Sequence, residues 1–176
     1  APQYYAAHYP LFPLFIRLFA ISPVGFPYSL LGVTVISSVF TVFFFYKLAS
    51  GYLKKDDALW LTMLFSIFPA RWLIVRSVGS PEPWFIGAII ASIYYFKNKK
   101  YLLAGLSGAL AQATKSPGIL LFVAYLLVLT IPEIKRFATS GFNRWLKSLP
   151  WKALPIILIP ASLLLVFGFY SKSFND

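Results

Sequence analysis

"SPEPWFIGAIIASIYYFKNKKYLLAGLSGALAQATKSPGILL", Ser80 to Leu121, is the stretch on which the fold turns. Two apolar runs, Pro83 to Phe96 and Tyr101 to Thr114, stand on either side of a basic corner. Ser80 is a helix-capping residue, and Pro81 suits a first helical position. Glu82 falls in the first turn, where the helix dipole favours an anion. "NKKYLLAG" makes a tight turn between two helices, and "TKSPG" makes another at the opposite side. The second run is rich in alanine and glycine, as suits a membrane helix packed closely against its neighbours. The stretch predicts two antiparallel helices, with the lysine corner on one side and Glu82 and Lys115 on the other.

Four more apolar stretches flank this pair: Tyr28 to Tyr46, Ala58 to Val75, Gly118 to Ile131 and Ala153 to Tyr170. The first, second and last are long enough to cross a hydrocarbon core of about 30 Å as helices. The other three stretches are short, since fourteen residues at about 1.5 Å each reach only about 21 Å. Charge placement favours six crossings all the same. With the N-terminus outside, the inner loops hold Lys47, Lys54, Lys55, Lys97, Lys99, Lys100, Lys135, Arg136, Arg144, Lys147 and Lys152. The outer side holds Arg17, Arg71, Arg76, Lys115 and Lys172, so every dense basic cluster is inside. The expected fold class is all-α, a polytopic transmembrane helix bundle of about six helices plus a juxtamembrane helix. Residues 1–27 form the end of an outer loop with that helix. Residues 28–176 form one membrane domain, with an amphipathic cytoplasmic loop around 133–152.

Composition supports the same class. Hydrophobic residues make up 59% of the chain, aromatics 19% and charged residues 12%, too few charges to cover so much apolar surface in water. The net charge of +11 resides in short clusters between apolar runs, so no basic face is formed for nucleic acid. Without cysteine there is neither a disulfide nor a thiolate metal site. No phosphate-binding glycine loop, HExxH motif, nucleophile elbow or metal-ligand cluster occurs. No cofactor is implied by the residues, and divalent-metal dependence is open. The chain starts at alanine and has no cleavable signal pattern, so it reads as a piece of a longer protein.

Topology sorts the ionisable residues. The outer side receives His8, Arg17, Arg71, Arg76, Glu82, Lys115 and Asp176, with Glu82 the sole acid besides the C-terminal residue. Several cations around one carboxylate suit an anionic headgroup such as a phosphate linked to a sugar. Each residue also has a plainer reading. Glu82 stabilises a helix start, Arg76 and Lys115 snorkel to the interface, Arg17 anchors its segment, and Tyr4, Tyr5 and Tyr9 form an interfacial belt.

"YPLFPLFIRLF", Tyr9 to Phe19, and the Ser80–Leu121 stretch resemble segments of the PIG-V-like mannosyltransferases, multipass enzymes of the GT-C glycosyltransferase class. The resemblance implies transfer of a sugar, mannose in that family, from a polyprenyl- or dolichyl-phosphate donor to a lipid-linked or protein acceptor on the outer face. Pro10, Pro13 and Arg17 match its opening motif, and Glu82 matches the glutamate of its second. Lys115 stands where the family has arginine. His8, Arg17, Arg76 and Lys115 would then bind substrate and Glu82 would act as a secondary acid, the main catalytic aspartate lying before Ala1. "HYPLFPLFIRLF" would be a short helix along the membrane surface. The expected site of action is a cell membrane or an endoplasmic-reticulum membrane. Two other classes stay open, a transporter or flippase for an anionic lipid-linked solute and a non-catalytic scaffold relative. Against a carrier, the middles of the spans are nearly free of ionisable residues.

Overall fold

The computed structural model describes residues 9–20, 25–67, 79–140 and 151–175. Among these the protein is all-helical. Its helices are α1 (Leu11–Phe19), α2 (Phe26–Ala49), α3 (Lys55–Ile67), α4 (Glu82–Lys97), α5 (Tyr101–Gln112), α6 (Leu120–Ser140) and α7 (Leu158–Asn175). Tight 3-10 turns at Ser116–Ile119 and Trp151–Ile157 lead into α6 and α7. α2 lies against α4, α4 against α5, and α5 against α7 and the turn before it, while α1 and α3 flank α2.

Small residues allow these approaches. Ala88, Ala91, Ala104 and Ala111 are buried almost completely. A Cβ on Gly87 would lie 2.4 Å from Thr41 Oγ1, and one on Gly105 would lie 2.1 Å from the Pro155 carbonyl oxygen. Many large apolar residues point outward: Leu102, Leu106, Val128, Leu164, Leu165 and Phe167 are exposed, whereas Ser37, Ser38, Thr41 and Ser92 are buried. So much exposed apolar surface beside buried hydroxyls departs from the pattern of a water-soluble domain and suits hydrocarbon as the surrounding solvent.

The buried hydroxyls are satisfied locally. Thr34, Ser37, Ser38 and Thr41 donate to the carbonyls of Leu30, Val33, Thr34 and Ser37 at 2.9, 2.7, 2.8 and 2.8 Å. Thr41 also lies 2.5 Å from the Pro83 carbonyl, so its one proton is shared between α2 and α4. Farther along α4, Ser92 donates to the Ala104 carbonyl and shares a 2.8 Å hydrogen bond with the Tyr125 hydroxyl. The Tyr125 ring in turn stacks on Phe96, with centroids 4.1 Å apart, and fixes α6 to the α4–α5 pair.

The expected helix pair is present, and its two ends separate as the sequence implies. At one end Lys97 Nζ donates to the Gly51 carbonyl, joining the turn after α2 to the turn after α4. At the other lie Glu82, Lys115 and the start of α4.

The helix limits of α2, α4 and α5 follow the expected stretches to within two or three residues, whereas the expected number of crossings is six. Among the described residues, two helices are long and apolar enough to cross a membrane by length and composition, Pro27–Ala49 and Trp151–Gly168, with a shorter apolar helix at Ser116–Ile131. α3 is helical to Ile67, and the rest of the stretch expected to run to Val75 lies outside the described residues. With 16 and 12 residues, α4 and α5 measure about 24 and 18 Å, short of a full hydrocarbon thickness. The amphipathic loop expected from Glu133 is helical through Ser140 as a continuation of α6, and residues 141–150 lie outside the described residues. The proline-bounded segment at the start does form a short helix, α1.

Candidate functional site

The site is built where the start of α4 meets the end of α5. Gly79 turns the chain with φ +72°, and a Cβ there would lie 2.5 Å from Leu30 Cγ. The Ser80 N–H donates to Thr34 Oγ1 at 3.1 Å, and the Glu82 N–H to Ser80 Oγ at 3.3 Å. The N-cap position itself falls to Pro81, one residue later than the serine expected there; Ser80 precedes it and accepts the N–H of Glu82, the first residue of α4. Gly79→Ala combines a left-handed backbone with a clash. It is expected to lower stability by about 1–3 kcal/mol, seen as a fall in the thermal unfolding midpoint of the solubilised protein.

The end of α5 folds back on itself. Thr114 and Lys115 both donate their N–H to the Ala111 carbonyl, at 3.0 Å each. Lys115 then becomes extended, and the Gly118 N–H returns to its carbonyl at 3.0 Å. Gly118 packs on the helix end so closely that a Cβ would lie 2.5 Å from the Gln112 nitrogen and Cα. The turn thereby directs Lys115 across to α4, where its Nζ donates to Glu82 Oε1. This is the one ion pair among the described residues, with side chains 34% and 27% exposed. Both groups are thus accessible to a ligand.

Beside the pair opens a cavity of about 370 Å³. α1 contributes Phe12 and Pro13 to its wall, with Tyr9 just before them; the opposite wall is Pro81 and the turn from Thr114 to Pro117. α1 is pinned in place by Phe15, whose ring meets Trp84 edge-on with centroids 4.8 Å apart, while Trp84 stacks on Phe40 at 5.2 Å. The cavity is thus mostly apolar, with one ammonium at its edge and one carboxylate behind that ammonium.

No family model, no curated protein and no solved structure matches this chain. What the site does must come from its geometry.

Of the residues expected at the site, Glu82 and Lys115 are brought into direct contact. Arg17 is exposed in the last turn of α1 and is not part of the cavity wall. It follows Pro13 by four residues, one turn farther along the same helix face. His8, Arg71, Arg76, Tyr4, Tyr5 and Asp176 lie outside the described residues. Tyr9 belongs to the cavity wall. The sequence reading overlooked Phe12 and Thr114 in the wall and two buried polar atoms without a hydrogen-bond partner, Trp84 Nε1 and Gln112 Oε1. A glutamine inside the alanine-rich "GALAQAT" was the available signal for the latter. Among the described residues no group of three histidine or carboxylate side chains gathers around a metal position.

Proposed function

We propose that this protein is a multi-pass membrane glycosyltransferase of GT-C-like architecture. It would transfer a sugar, mannose by the resemblance, from a polyprenyl-phosphate donor to a lipid-linked glycan or protein on the outer face. The observation that carries this reading is the Glu82–Lys115 pair at the edge of an apolar cavity, at the end of the bundle opposite the lysine turns. The cavity walls suit the first part of a lipid chain, and Lys115 suits its phosphate.

In the proposed reaction the acceptor oxygen attacks the anomeric carbon from the side opposite the phosphate. A carbon–oxygen bond forms to the acceptor as the bond to the phosphate oxygen breaks, and configuration inverts. The acceptor proton goes to a carboxylate, and polyprenyl phosphate leaves with its negative charge held by cations. Lys115 holds the phosphate, with Arg17 and Arg76 as further cations and His8 as a substrate contact. When phosphate draws Lys115 away, Glu82 Oε1 becomes free to orient the acceptor hydroxyl.

The test is transfer of labelled mannose from polyprenyl-phosphate mannose by the full-length protein in proteoliposomes. Glu82→Ala and Arg17→Ala are both expected to slow transfer. Wild-type rates in both would remove these residues from the mechanism. Movement of the intact donor between leaflets without transfer would replace the enzyme reading with the carrier one.

A further inference from the structure

At the end of the bundle opposite Glu82, two turns far apart in the chain become one surface. Lys97 Nζ donates to the Gly51 carbonyl at 2.9 Å and stands 3.1 Å from the centroid of the Tyr52 ring. This anchor gathers Lys54, Lys55, Lys99 and Lys100, all exposed and all without an ion-pair partner among the described residues. Asp56 and Asp57, in the first turn of α3, are the acids beside them and leave the surface net positive. Tyr52, Leu53 and Trp60 are exposed nearby and present apolar area next to the ammonium groups.

The turn after α4 adds an independent observation. Lys99 donates its N–H to the Phe96 carbonyl and Lys100 to the Tyr95 carbonyl, at 2.9 Å each. This is a Schellman ending, whose left-handed position is Lys99, with φ +58°. Glycine is the usual occupant, because a Cβ is disfavoured in that conformation. Among the described residues Lys99 is the one non-glycine residue with positive φ. An ammonium is therefore held where local stability favours no side chain at all, and backbone strain of this kind points to a use outside the fold.

We propose that this corner binds the phosphodiester headgroup of an anionic membrane lipid from the leaflet on the lysine side. Point-charge ammonium groups on two adjoining turns suit a phosphodiester, and the exposed aromatic and leucine side chains suit the glycerol and upper acyl region. The inference is independent of the transferase reading, since it concerns the other end of the bundle.

The experiment reconstitutes the full chain in nanodiscs of equal parts phosphatidylglycerol and phosphatidylcholine and measures retained lipid by native mass spectrometry. Wild type is expected to retain phosphatidylglycerol preferentially. Lys99→Gly is expected to raise the unfolding temperature and yet cut that preference roughly five-fold. A structural role alone would not give these opposite signs. Lys99→Arg should keep the preference, and Lys54→Gln with Lys100→Gln, which leaves the strained position untouched, should reduce it. An unchanged preference in both Lys99→Gly and the double variant overturns the proposal. Displacement of the lipid by inorganic phosphate at equal concentration overturns the lipid source and assigns the corner to a free anion.

Discussion

Alanine at Gly105 is expected to destabilise this protein more than any other single methyl group added to its interior. The new Cβ would lie 2.1 Å from the Pro155 carbonyl oxygen and 2.8 Å from its carbon. Both are backbone atoms, so no rotamer change relieves the contact. Pro155 is itself fixed in a 3-10 turn whose Ala153 and Ile156 are buried. Relief requires α5 to move away from that turn, a rearrangement worth about 3 kcal/mol or more. Gly108 makes a useful comparison, because its Cβ would meet the buried Ile159 side chain at 2.5 Å, a side-chain rather than a backbone contact. At Gly32 and Gly168 nothing lies within 4 Å, and alanine there is expected to add about 0.5–1 kcal/mol of helix stability. Thermal unfolding in detergent, followed by circular dichroism, should therefore rank Gly105→Ala lowest, Gly108→Ala between, and the two open sites at or above wild type. A wild-type midpoint for Gly105→Ala would show that α5 and the turn do not approach so closely.

The second large effect falls on transfer. Lys115→Met is expected to lower the rate by about 10²–10³, the range for removing one preorganised group that stabilises developing charge. Its effect on stability should be small, because a pair exposed by a quarter to a third is screened by solvent and worth about 0–1 kcal/mol. Exchanging the charges, Glu82→Lys with Lys115→Glu, separates the two roles. The exchanged pair keeps the salt link between α4 and the α5 turn, but it moves the carboxylate to the phosphate side. Folding should survive and transfer should not return. If the exchanged protein transfers sugar at the wild-type rate, the pair is purely structural and the mechanism fails.

The helix pair was legible because its signals are local. Ser80, Pro81 and Glu82 mark a start, and the "KNKK" corner marks a reversal. Together they fix which residues share an end, and so Glu82 and Lys115 could be grouped before any coordinates. The limits of α6 were not legible in the same way. Glu133, just after Pro132, reads as the beginning of a loop, yet the helix continues to Ser140. A single proline bends or weakens a helix without necessarily ending it. The wall made by Phe12 and Pro13 was hidden for another reason. It depends on Phe15 meeting Trp84 edge-on, a tertiary contact that leaves no periodic trace in either segment. Apolar runs marked the limits of α2, α4 and α5 to within two or three residues. They do not count crossings, and among the described residues two helices are long and apolar enough to cross a membrane.

The hydroxyls of α2 have a consequence for biogenesis. Thr34, Ser37, Ser38 and Thr41 already hand their protons to carbonyls of the same helix, so α2 could leave the translocon with those hydroxyl protons already bonded. What it offers later arrivals is spare acceptor capacity, taken up when the Ser80 amide reaches Thr34, and the Thr41 proton, which comes to be shared with the Pro83 carbonyl. Lateral insertion and partner docking can thus proceed as separate steps, with α2 as the pre-finished stave against which the remaining helices are laid.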